Sequence, residues 1–303
     1  MTYFLKKIYV YVLSFLTLAC GENSLIDSLK ETSQVNPNLE EFSIGINGET
    51  RTYWLHIPEN YDENDPMPVV LNFHGFGGRA EEYASYADMV DLSDSEGFLL
   101  VYPQGSLLDG SPHWNAALDG SDNKSDAEDL EFIDILIRRL SDDYKVDMDR
   151  VYACGYSNGG FFSFALACYR SDLIAAVGSI SGSQLDLGET CSPTHPTPVI
   201  SFHGTSDSTI PYDGNSFYFS VEEILNYWVS FNETATNVEA DEYQSRGQEI
   251  NYYNYTDGNN GVSVNHYQII GGGHIWFDLD LNGQNTGDLL WGFFDQYDIN
   301  GKR

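Results

Sequence analysis

"DRVYACGYSNGGFFSFALACYR", residues 149–170, joins two structural patterns at a single serine. The first eight residues read as a short apolar strand, and the stretch from Asn158 onward reads as a helix. Ser157 stands at the junction, flanked two residues away on each side by Gly155 and Gly159. A sharp strand-to-helix turn there lifts the serine hydroxyl above the edge of a sheet. The two glycines let neighbouring backbone pass close by, while the helix start offers an oriented amide and the positive end of a dipole. A glycine loop without chemistry is the competing reading, and the strand and helix on either side count against it.

Outward from this turn the same alternation repeats. "TYWLHI" (52–57), "PVVLNFHG" (68–75) and "GFLLVYPQG" (97–105) read as strands, and "AEDLEFIDILIRRLSDDY" (127–144) reads as an amphipathic helix with acidic residues in its first turn. Beyond the serine come the strands "IAAVGSISG" (174–182) and "TPVISFHGT" (197–205), then the helix "SVEEILNYWVSFNE" (220–233). A "DGNN" turn (257–260) separates "QEINYYNY" from "VSVNHYQII", as a hairpin or a loop between strands, and "TGDLLWGFFDQY" (286–297) reads as a closing helix. Short β-branched runs alternating with helices predict an α/β fold, a mostly parallel central sheet with helices on both faces.

A serine hydroxyl is a weak nucleophile and needs a base, and the base needs a group to orient it. Seven histidines compete. His274 lies in "GGGHIWF", where three glycines give a loop able to project an imidazole back over the sheet edge. His203 is the rival, but it ends a strand beside a carboxylate better suited to orienting a base. His56, His113, His195 and His266 read as surface or packing residues. The carboxylate is Asp207 in "HGTSDSTIPY", with Asp213 a weaker choice in the same loop. The chain order Ser157, Asp207, His274 is the one expected of the α/β-hydrolase fold. The oxyanion of a tetrahedral intermediate needs two donors, and "NFHGFGG" supplies one after a strand: the Phe76 backbone N–H, acting with that of Asn158. His74 is expected to brace that loop.

Composition narrows the classes. With 14 basic and 46 acidic residues the formal charge is −32, which repels phosphate backbones and anionic lipid across most of the surface. Nucleic acid is therefore not an expected partner; a soluble exported surface and adaptation to salt both fit the acidity. The twelve-residue apolar run Ile8 to Ala19 after Lys6 and Lys7 is short of a membrane span and reads as an export signal, residues 1–19. Cys20 after "LTLA" resembles the lipobox of bacterial lipoproteins, although Thr17 stands where that pattern usually has Leu. A lipid on Cys20 is the expected membrane contact, followed by a tether over residues 20–41 and a single catalytic domain over 42–303. In an oxidising compartment two of Cys154, Cys168 and Cys191 can pair, and Cys154, inside an apolar run, reads as a buried small hydrophobe. With no HExxH, no CxxC pair and no clustered carboxylates, neither a metal nor another cofactor is expected.

The motifs "HGFGG", "EDLEFI", "GYSNGG", "LAC" with a later "C", "HGTSDSTIPY" and "GGGHIWF", in that order from about Thr52 to Phe294, resemble the extracellular esterase family of polyhydroxybutyrate depolymerase-like proteins, feruloyl esterases and acetylxylan esterases. The resemblance implies Ser157 as nucleophile with Asp207 and His274 as partners, Phe76 and Asn158 as oxyanion donors, a Cys168 to Cys191 disulfide, and Trp276 with Trp114 lining the acyl or sugar site. Two departures bear on substrate: Phe277 replaces a proline often found after the Trp of the base loop, and "HWNAA" lacks the cysteine pair of some members.

These readings converge on an exported serine carboxylesterase working through an acyl-enzyme, with feruloyl or acetyl esters on polysaccharide as the leading substrates. The enzymatic alternative is a polyhydroxyalkanoate depolymerase. A surface lipoprotein that only binds glycan through its aromatics is the alternative of another class; it predicts a missing triad member, and none is missing.

Overall fold

The computed structural model describes residue 36 and residues 38–118, 123–235 and 238–303; the export signal, Cys20 and most of the tether lie outside the described residues. The strands are β1 (Glu40–Ile46), β2 (Glu49–His56), β3 (Met67–Phe73), β4 (Leu99–Pro103), β5 (Ser106–Leu108), β6 (Ser111–His113), β7 (Val146–Tyr156), β8 (Ala176–Ile180), β9 (Val199–Gly204), β10 (Glu239–Ser245), β11 (Gln248–Tyr255), β12 (Val264–Ile269), β13 (Tyr297–Asp298) and β14 (Gly301–Lys302). The helices are α1 (Ala80–Tyr86), α2 (Val90–Glu96), α3 (Asp129–Asp143), α4 (Asn158–Tyr169), α5 (Val221–Phe231) and α6 (Thr286–Phe294).

Ten strands form one sheet in the order β1-β2-β4-β3-β7-β8-β9-β12-β11-β10 among the described residues. The run from β4 to β12 is parallel, and antiparallel strands flank it at both edges. Burial on both faces explains why the central strands are mostly apolar on successive residues, with few polar exceptions such as Asn72, Ser179, Ser201 and His203. In β3, Val69, Leu71 and Phe73 face one core and Val70 the other; in β7, Val151 and Ala153 face the first, Tyr152 and Cys154 the second. α3, α4 and α5 cover the first face, and α1, α2 and α6 the second. α4 carries no amphipathic signal because every residue from Gly159 to Cys168 is buried. A helix apolar all round is what a position inside the core demands.

Some expectations need revision. Strand β1 starts at Glu40, inside the stretch read as tether, and pairs along its whole length with β2. The last helix does not close the chain, because Tyr297–Asp298 turns back to pair with Gly301–Lys302. The "DGNN" turn does separate an antiparallel pair, β11 and β12, through a single 3-10 turn at Asn259–Gly261. Cys168 and Cys191 form a disulfide, and Cys154 is free and fully buried, its thiol pushed up by burial.

Candidate active site

Strand β7 ends at Tyr156 and α4 begins at Asn158, leaving Ser157 alone on the turn with φ 53° and ψ −118°. That left-handed backbone is strained for a residue with a Cβ. The Ser157 N–H donates to Ile180 O at 2.8 Å, which ties the turn to the end of β8. The glycines on either side are required by contact. A Cβ on Gly155 would stand 2.7 Å from Phe73 O, and one on Gly159 only 2.1 Å from the same oxygen. The β3 backbone thus passes directly against the turn.

His274 reaches the serine from the loop after β12. Its Nε2 is 2.8 Å from Ser157 Oγ, and its Nδ1 is 2.7 Å from Asp207 Oδ2. The two loops that carry Asp207 and His274 are stitched together: Ser206 N–H donates to Gly272 O at 2.9 Å, and Gly271 N–H donates to Thr205 Oγ1 at 2.8 Å. Tyr156 Oη–H and Ser181 Oγ–H then donate to the carbonyls of His274 and Ile275, both at 2.9 Å. Burial, with help from the Asp207 charge, pushes the Tyr156 phenol up to about 12, so it stays a donor. None of these anchoring side chains stands out in the sequence.

Asp207 is buried at 5 % exposure. Burial pushes its carboxyl up, but hydrogen bonds from His203, His274 and the N–H groups of Ile210 and Thr209 outweigh that effect and hold it well below the usual carboxylate range. The folded value lies under the unfolded one of about 3.9, so the resulting stability is complete above that range and lost as pH falls below it. Asp207→Asn should therefore flatten the wild-type fall in Tm below about pH 4, measured by calorimetry across the acid range.

The loop that carries Phe76 packs on the same turn. A Cβ on Gly75 would come 3.2 Å from Ser157 Cβ, and Gly77 N–H donates to Pro112 O at 2.7 Å. His74 is buried beneath it. Its Nδ1–H donates to Gly75 O at 2.7 Å, and its Nε2 accepts from Gly105 N–H at 2.9 Å. Burial holds that ring neutral, lowered to about 4, which suits one nitrogen donating and the other accepting. The Phe76 side chain is exposed, with Lys124 Nζ 5.5 Å from its ring centre.

Trp114 corrects an expectation. Its side chain does not line an open site: it is 2 % exposed, stacks on Phe162 at 4.9 Å, meets Phe73 edge-on, and donates from Nε1 to His74 O at 3.1 Å. An indole enclosed in this way has no face left for a substrate. What the residue does present is its peptide. Asn158 Oδ1 accepts from Trp114 N–H at 2.7 Å, and Asn158 Nδ2 donates to Trp114 O at 3.0 Å. Asn158→Ala keeps the backbone N–H but frees this clamp; kcat should fall about tenfold and stability by about 1–3 kcal/mol, read from steady-state kinetics and urea melts. Trp276 is half-buried and packs edge-on against Tyr83 at 5.8 Å.

The remaining histidines are packing groups. His113 and His266 are fully buried, His56 bonds Asp94 at 2.8 Å, and His195 bonds the Ser171 and Pro196 carbonyls. His203 has no hydrogen bond to Ser157 among the described residues; its Nε2 is 2.8 Å from Ile210 O and 3.4 Å from Asp207 Oδ2.

A parallel sheet with a serine on a strained strand-to-helix turn, and an acid and a histidine delivered after later strands, is the α/β-hydrolase architecture. Within it the chain belongs to the esterase PHB depolymerase family, whose model matches residues 52–215. A putative esterase, NocK, from Nocardia uniformis subsp. tsuyamanensis is 34% identical over 175 residues, 56% of this chain and 49% of that protein. A probable feruloyl esterase C from Aspergillus flavus is 31% identical over 206 residues, 68% of this chain and 70% of that one. Of several curated relatives the chain spans only about half the length. Among solved structures, an acetyl xylan esterase from Aspergillus awamori superposes with a TM-score of 0.58 at 16% identity, over 84% of this chain and 99% of that one, a likeness of fold.

Proposed function

We propose that the protein is a serine carboxylesterase that works through an acyl-enzyme. The observation that carries this is the unbroken path from Ser157 Oγ to His274 Nε2 at 2.8 Å and from His274 Nδ1 to Asp207 Oδ2 at 2.7 Å. Ser157 Oγ attacks the ester carbonyl carbon while His274 Nε2 takes its proton. Asp207, kept ionised by the hydrogen bonds it accepts from His274, Thr209 and Ile210, holds the Nδ1–H tautomer and steadies the imidazolium. The backbone N–H groups of Phe76 and Asn158 receive the oxyanion. As the intermediate collapses, the C–O bond to the alcohol breaks and His274 returns the proton to the leaving oxygen. Water, activated by the same imidazole, then releases the acid and restores Ser157.

The leading substrates are feruloyl or acetyl esters on polysaccharide. Relatives described as feruloyl esterase and as acetylxylan esterase support this choice. The family model's own description, which names PHB depolymerase, favours polyhydroxyalkanoate as the second reading. The export signal over residues 1–19, the lipid on Cys20, a tether that ends before β1 at Glu40 and a single catalytic domain from there complete the proposal. Release of free acid from methyl ferulate, acetylated xylan and polyhydroxybutyrate separates the readings: activity on the first two is expected, and activity confined to the polyester would overturn the polysaccharide assignment.

A further inference from the structure

Asp207 is met by a second imidazole. β9 ends with His203 and Gly204, and the chain then turns so that Asp207 N–H donates back to Gly204 O at 3.2 Å. This places the carboxylate beside the Nε2 edge of the His203 ring, four residues earlier. His203 Nε2 lies 2.8 Å from the carbonyl of Ile210, and a carbonyl only accepts, so that nitrogen carries the proton. The same N–H faces Asp207 Oδ2 at 3.4 Å, the very oxygen that His274 Nδ1 approaches at 2.7 Å. The other oxygen, Oδ1, is occupied by the N–H groups of Thr209 and Ile210 at 2.8 and 2.9 Å.

The surroundings of His203 are built and closed. The ring is 3 % exposed and meets Tyr212 edge-on at 5.8 Å. Tyr212 Oη in turn bonds His266 Nε2 at 2.9 Å, and His266 Nδ1 bonds Ser201 Oγ at 2.8 Å. The titratable groups around His203 are thus Asp207 on its own loop, Tyr212 on the following segment, and His266 on β12. Burial pushes the Tyr212 phenol up and holds His266 neutral, lowered to about 3. Asp207 is therefore the one charged group this ring faces in that set.

We propose that His203 is a positioning residue of the triad: its Nε2–H pins Asp207 Oδ2 and sets how strongly that oxygen draws on the His274 ring. The inference rests on the reading that Asp207 orients His274 during ester hydrolysis. A donor beside Oδ2 fixes rotation of the carboxylate and takes up part of its charge. Without that donor the carboxylate is more basic toward His274, so the imidazolium forms at higher pH and the acid limb of kcat/KM moves upward. The looser carboxylate also orients the base less well, which lowers kcat and leaves KM unchanged. Gln extends an amide N–H to about where the ring nitrogen stands, whereas Leu and Asn do not.

The test compares wild type with His203→Leu, His203→Asn and His203→Gln on p-nitrophenyl acetate, with Tm measured for each. Loss of the donor should lower kcat about tenfold and raise the acid limb by about half a pH unit, with His203→Gln restoring both. If Leu at this buried site fails to fold, the Asn and Gln pair makes the same comparison. A folded Leu or Asn variant with native kcat and an unmoved acid limb would overturn the inference, as would a Gln variant no better than Asn. Failure of the underlying reading looks different: Ser157→Ala would then hydrolyse the ester as fast as wild type.

Discussion

Ser157→Ala should lower kcat for ester hydrolysis by roughly 10⁴- to 10⁶-fold while leaving the melting temperature within about 2 °C of wild type. The magnitude follows from the chemistry. Without Oγ no acyl-enzyme can form, and what survives is the contribution of binding and the oxyanion donors to direct attack by water. The small effect on stability follows from the structure, since Ser157 is only partly buried and, among the described residues, its side chain bonds the His274 ring alone. Removing an oxygen from a residue at φ 53° leaves the strained backbone as it was. His274→Ala should be comparably inactive, and the double variant scarcely worse than either single one, because the two side chains act as one unit. Steady-state rates on p-nitrophenyl acetate beside thermal melts check all three.

Asp129→Ala should destabilise the fold by about 3–5 kcal/mol and lower Tm by about 10 °C. Asp129 stands in the first turn of α3, fully buried, with Oδ1 2.7 Å from Arg51 Nη2 and Oδ2 accepting Asn115 N–H at 2.8 Å. Burial pushes its carboxyl up, and the Arg51 guanidinium and the Asn115 N–H oppose that shift. Arg51 is itself enclosed, its guanidinium 4.2 Å from the centre of the Phe132 ring. Deleting the carboxylate strands a buried cation and an unpaired amide at once. Because the loss comes from stranding a partner, Arg51→Met with Asp129→Leu should cost less than Asp129→Ala alone, a comparison that urea denaturation of the variants decides. The pair also holds Asn115 beside Trp114, whose peptide clamps Asn158. A share of the damage should therefore appear as a lower kcat in the folded fraction.

The parts of the fold that could be read from sequence are those whose signal is local. An apolar run, two glycines and a second apolar run locate the Ser157 turn, and the same local logic finds Asp207 after β9 and His274 after β12. Strands β1 and β10 escaped because "EEFSIGI" and "EADEYQS" are half-exposed edge segments rich in acid, and only long-range pairing with β2 and β11 makes them strands. Helices α1 and α2 are seven residues each, too short to establish a helical period. The burial of Trp114 is hidden for a related reason: an indole in "HWNAA" looks like surface, and its burial depends on Phe162 and Phe73 from distant segments. His203 carried a faint signal in its four-residue spacing from Asp207. Which nitrogen of that ring faces which oxygen is decided by the turn between them, and composition does not encode it.

The central claim is that Ser157 is a nucleophile activated by His274. Treating the protein with a fluorophosphonate and locating the adduct by peptide mass spectrometry tests it most directly. One phosphonyl group on the peptide containing Ser157, with esterase activity lost in proportion to labelling and no labelling in His274→Ala, is the result the geometry predicts. An unmodified Ser157 in protein that still hydrolyses esters, or activity that persists after Ser157 is fully labelled, would contradict it.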